Sequence, residues 1–160
     1  MLKDNAILIF ELINYRWSQI LESYNTAPRI CKKVRIIDEE KIRRKPLSRY
    51  IKYLDVENPE HICFICGQPV NKQDLAIDHV LPWSYLYSDN LWNLVYVHGS
   101  CNSSKSNNVP LEETVHRLEQ RNIKLFSLLK EATSKDKIVA ELKFANEHNL
   151  VRKFWVSCQG

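Results

Sequence analysis

Two short motifs limit most strongly how this chain can fold. Cys63-Phe64-Ile65-Cys66 is a C-x-x-C pair, and His98-Gly99-Ser100-Cys101 is an H-x-x-C pair of the same spacing. Two such knuckles can place three thiolates and one imidazole around a single tetrahedral zinc. A chain closed in that way must fold back so that 63–66 meets 98–101. A redox C-x-x-C is the competing reading, but it normally opens a helix in a β-α-β context, which this sequence does not supply. Structural zinc on Cys63, Cys66, His98 and Cys101 is therefore the expectation. Cys31 and Cys158 have no partner at ligand spacing and read as free thiols. Five cysteines, an odd number, speak against a disulfide framework.

The rest of the chain reads in three parts. The 160 residues, 44% apolar and 26% charged, suit one domain or a compact core with helical extensions, and they exclude general disorder. Three Gly and six Pro argue against a turn-rich sandwich or barrel. Residues 1–58 read as a helical arm, with an apolar stripe (Ile7, Phe10, Ile13, Trp17, Ile20, Leu21) and helix starts near Pro28 and Pro46. Between Arg29 and Lys52 stand ten Lys/Arg against three acids, a local balance of +7. That excess suits a polyanionic partner such as nucleic acid, and a solvated helix face explains it equally well. Residues 59–110 form the core, with short extended runs at Leu75–Asp78 and Leu94–Val97. Residues 111–160 return to helix: Pro110, Glu112 and Glu113 mark a start, Asn122 a break, and Ser134 the N-cap of a further helix. The longest early apolar run, Ala6–Phe10, is far short of the roughly 20 residues a bilayer requires. Its flanks, Lys3 and Asp4, make a poor signal peptide. The expectation is a cytoplasmic protein with no membrane partner.

Chemistry concentrates between the knuckles. Asp78-His79-Val80-Leu81-Pro82 is followed by Asn93-Leu94 and by Cys101-Asn102-Ser103-Ser104-Lys105. A carboxylate and an amide oxygen are hard ligands, suited to magnesium or manganese. Asp78 and Asn102 can thus share one divalent cation. An imidazole is the side chain that exchanges a proton near neutrality, so His79 can take one from an attacking water. Lys105, three residues after Asn102 on an expected helix, shares its face and can reach a phosphate. Taken singly, each has a plainer reading: Asp78 as a turn acid, His79 as a structural imidazole, Asn93 and Asn102 as turn or cap residues. Trp83, Tyr85, Tyr87 and Trp92 fit packing around a small site better than base stacking.

The D-H…N-L…C-N-x-x-K order, bracketed by the two knuckles, resembles the HNH endonuclease family. It is similar in particular to the HNH domain of RNA-guided CRISPR nucleases, including the tail Lys105-Ser106-Asn107-Asn108-Val109-Pro110. The resemblance implies an α+β, mostly helical fold, with a zinc-framed ββα-metal core flanked by N- and C-terminal helices. It implies that Asp78 and Asn102 ligate Mg²⁺ or Mn²⁺, that His79 is the general base, that Asn93 braces the loop carrying His79, and that Lys105 lies near the phosphate. It also implies a structural Zn²⁺, although His98 stands where many zinc-bearing relatives have cysteine. The expected partner is double-stranded DNA, cut to 5′-phosphate and 3′-hydroxyl ends, in restriction, phage defence or a mobile element. Assembly of two sites in a homodimer would decide between nicking and double-strand cleavage. The rival from another class is a non-catalytic zinc-framed nucleic-acid-binding module, which would not require Asp78, His79, Asn93 and Asn102 together.

Overall fold

The computed structural model describes residues 5–25, 46–132 and 135–159. The expected helix near Pro28, Cys31, Ser134 and most of the basic stretch lie outside the described residues. The chain divides into two compact units, Met1–Arg44 and Lys45–Gly160. In the first, α1 runs over Ala6–Asn25, which at about 1.5 Å per residue makes a rod of roughly 30 Å. Its apolar stripe is exposed, including Ile7 and Trp17.

The second unit is mostly helical around one small sheet. A 3-10 turn, Leu47–Tyr50, leads into α2, Ile51–Glu57. β1, Leu75–His79, and β2, Leu94–His98, pair antiparallel, with Leu75 opposite His98, Asp78 opposite Val95 and His79 opposite Leu94. The short helix α3, Trp83–Leu86, lies in the connection between the strands. α4, Gly99–Lys105, follows β2 directly and packs on both strands, completing a ββα unit. Then come α5, Glu112–Leu129, α6, Lys137–Glu147, and α7, Leu150–Cys158.

Apolar periodicity explains the layering. On α5, Val115, Leu118 and Leu125 are spaced to share one face, and all three are fully buried. They join Leu142 of α6, Leu94 and Val97 of β2, and Leu81 in a continuous core. Trp92 stacks on Phe154 of α7, with ring centroids 5.8 Å apart, so it packs as its sequence context suggests. α2 packs against α5 through an apolar side that includes Tyr53 and Leu54, which places it with the C-terminal helices in the second unit.

Two local expectations are corrected. α5 does not break at Asn122: the Asn122 side chain is buried and donates to the carbonyl of Trp92 at 2.7 Å, so a residue that favours turns is satisfied by a tertiary partner. The N-cap of α6 is Asp136, whose carboxylate accepts from the Ile138 N–H at 2.9 Å. No helix among the described residues is long and apolar enough to cross a membrane.

Candidate functional site

The two knuckles meet. The ligand atoms of Cys63, Cys66, His98 and Cys101 all lie within 4.8 Å of one another. His98 Nδ1 is 3.4 Å from Cys66 Sγ and 3.9 Å from Cys101 Sγ. Atoms bound to one tetrahedral zinc at about 2.0–2.3 Å stand roughly 3.5–3.8 Å apart, so the spacing fits that ion. The first knuckle turns through Gly67, whose φ of +73° suits glycine, and its Phe64 N–H is tied to the Tyr96 carbonyl of β2 at 2.8 Å. The second comes from the end of β2 and the first turn of α4. His98 is oriented from behind: Nε2 lies 3.2 Å from the Pro69 carbonyl, which can only accept, so Nδ1 keeps its lone pair for a metal.

The thiols are electrostatically unequal, and the inequality calls for a cation. Burial pushes the Cys63 thiol up, but the N–H groups of Cys66, His98 and Ile65, with the His98 ring, outweigh it and bring the pKa down to about 6. Cys101 is pushed up to about 11 by desolvation and by its sulfur neighbours Cys66 and Cys63. One thiolate forms readily and opposes the next, which is the condition a divalent ion relieves.

At the end of β1, alternation sends Asp78 and His79 apart. Asp78 faces α4: its Oδ2 is 3.0 Å from Lys105 Nζ, and Lys105 also donates to the His79 carbonyl at 2.7 Å. Lys105 thus bridges Asp78 and the backbone of His79. Asp78 and Lys105 line a cleft of about 220 Å³ with Asn108, Thr114 and Arg117. The buried Asp78 Oδ2 accepts no well-directed hydrogen bond despite the nearby ammonium. Asn102 sits half-buried on α4, one turn before Lys105, and among the described residues its side chain makes no hydrogen bond.

His79 turns the other way. Its Nε2 is 3.1 Å from Asp89 Oδ1, and the same oxygen accepts from Trp83 Nε1 at 3.1 Å. The hydrogen bond from His79 holds the Asp89 carboxyl below the usual carboxylate range, even though burial pulls the other way. Asp89 was missed in the sequence; the one signal available was an acid set between the D-H and the N-L motifs.

Asn93 is fully buried beneath the loop that follows His79. Its Oδ1 accepts the Leu81 N–H at 2.7 Å, its Nδ2 donates to the Leu81 carbonyl at 2.9 Å, and its carbonyl accepts the Val80 N–H at 2.9 Å. The turn that presents Asn93 is held in its turn by α5. The buried Arg121 donates to the carbonyls of Leu91 and Leu94, and Asn122 to that of Trp92. Burial lowers Arg121 to about 10, with Glu57 opposing, so it remains a cation.

With both knuckles closed, a hairpin ending in Asp-His and a buried asparagine beneath its loop, the geometry invites comparison with known families. Residues 63–111 match the HNH endonuclease family. The matched HNH segment contains both knuckles, β1, β2 and α4. It supports a nuclease, a metal-binding hydrolase acting on nucleic acid. No curated protein matches the chain.

One expected result follows from the HNH hairpin itself. Asn93→Ala strands a buried N–H and a buried carbonyl at Leu81, at a cost of about 2–5 kcal/mol. Denaturant unfolding should show a clearly lowered midpoint, and an unchanged midpoint would remove the bracing role.

Proposed function

We propose that the chain is a metal-dependent endonuclease that hydrolyses DNA phosphodiester bonds. His79 acts as the general base, and Asp78 and Asn102 hold Mg²⁺ or Mn²⁺. What supports this reading is one juxtaposition inside the matched segment. At the end of β1, a buried carboxylate oxygen with no well-directed donor stands one residue from an imidazole held by a second carboxylate.

The chemistry divides among the chain's own groups. His79 takes the proton of a water as its oxygen bonds to phosphorus; the P–O3′ bond breaks, and the departing 3′-oxygen takes a proton from solvent water, leaving a 5′-phosphate and a 3′-hydroxyl. Asp78 and Asn102 would hold the cation, which would supply Lewis acidity at the phosphate. Lys105 neutralises Asp78 and steadies the His79 backbone. Asn93 fixes the loop just beyond His79, so the ring is carried on a rigid turn. The Cys63, Cys66, His98 and Cys101 set would carry structural zinc, holding the ends of the hairpin unit together.

The test is incubation of the full chain with supercoiled plasmid and Mg²⁺ or Mn²⁺. Nicked circles or linear DNA that stop accumulating on chelation are expected. Retained duplex binding without any cleavage in either ion would replace the enzyme by a zinc-framed binding module.

A further inference from the structure

We propose that Asp89 is a positioning residue for His79: its carboxylate fixes the imidazole as the Nε2–H tautomer and leaves Nδ1 as the basic atom. This deepens, and rests on, the general-base reading of His79. The two side chains are 8% and 13% exposed, and Nε2 and Oδ1 are 3.1 Å apart. An ionised carboxylate only accepts, so Nε2 must be the donor. A neutral ring protonated there carries its lone pair on Nδ1.

The carboxylate is held as firmly as the ring. Its Oδ1 also receives the Trp83 indole N–H at 3.1 Å, so rotation of the Asp89 side chain would break both bonds. The backbone is fixed from two sides. The Tyr50 hydroxyl donates to the Asp89 carbonyl and is itself held by Arg49 at 2.7 Å. The neighbouring Asn90 amide donates to the Glu141 carboxylate on α6. Tyr50 and Glu141 lie outside the matched segment, so helical parts before and after it hold the residue that orients the imidazole. A ring without this anchor would sample both tautomers and more than one rotamer, and only part of that population could accept a proton from water. Groups that orient a working histidine from behind are typically worth about 10–100-fold when removed.

The experiment uses the full chain with ¹⁵N-labelled histidine, with the His79 ring signals assigned by their absence in His79→Ala. Long-range ¹H–¹⁵N correlation should show His79 protonated at Nε2 in the wild type and a tautomer mixture in Asp89→Ala. With Mg²⁺ and duplex DNA, Asp89→Ala should lower kcat about 10–100-fold with KM, zinc content and circular dichroism unchanged. An Nδ1–H tautomer in the wild type overturns the proposal, whether or not the variant folds. So does a wild-type tautomer pattern or an undiminished kcat in the folded variant. If the wild type cuts no DNA, the general-base reading fails, while the ring spectrum still decides whether Asp89 holds His79.

Discussion

Cys66→Ser, or exhaustive chelation of the wild type, should cost the second unit its fold as well as its activity. The four ligand atoms gather residues from both ends of the HNH segment, within 4.8 Å of one another. Structural zinc in small modules contributes roughly 10–16 kcal/mol of apparent free energy, comparable with the whole 5–15 kcal/mol stability of an ordinary domain. Without the ion, the buried Cys63, whose pKa is brought to about 6, leaves a thiolate beside two further sulfurs. Serine at position 66 removes one soft ligand and leaves three, too few for a closed tetrahedral site. The expected outcome is a single zinc in the purified wild type by native mass spectrometry, none in Cys66→Ser, and loss of the cooperative unfolding transition. A zinc-free preparation with sharp, reversible melting would refute the structural role of the metal.

How much of this was legible in the sequence depends on how local each cause is. The knuckles could be read because ligand spacing is a property of a few consecutive residues. The strands could be read because Leu75–Asp78 and Leu94–Val97 are short apolar runs set against chemically distinctive neighbours. The start of α5 could be read from Pro110, Glu112 and Glu113 for the same reason. What failed was whatever depended on a distant partner. Asn122 looks like a helix breaker until the Trp92 carbonyl arrives to receive its amide. The pairing of Lys105 with Asp78 was likewise not visible, because nothing in sequence order shows that α4 folds back to lay it there. Asp89 is the sharpest case. It lies ten residues from His79, and only the reversal of the chain through α3 and the turn at 91–93 brings its oxygen to the imidazole.

His79→Ala should lower cleavage on the order of 10²–10⁴-fold, equivalent to about 3–5.5 kcal/mol of transition-state stabilisation, while leaving the fold in place. The two parts of that expectation have separate physical grounds. The rate falls because the imidazole is the group this reading assigns to the proton, and Lys105, held by Asp78 and the His79 carbonyl, is an ammonium that cannot accept one. The fold survives because the His79 imidazole makes its hydrogen bond to Asp89 alone among the described residues, and Asp89 keeps the Trp83 donor when the ring is gone. The backbone at 79 also stays pinned, by Lys105 on its carbonyl and by the β1–β2 register. Duplex binding and zinc content should therefore match the wild type, which separates this variant from Cys66→Ser, where fold and activity disappear together. Imidazole added to the medium should restore part of the lost rate, since the alanine leaves a ring-sized space beside Asp89. Near-normal cleavage by a folded, zinc-loaded His79→Ala protein would take the general base away from this residue, whereas the hold of Asp89 on the ring is decided separately by the ring spectrum.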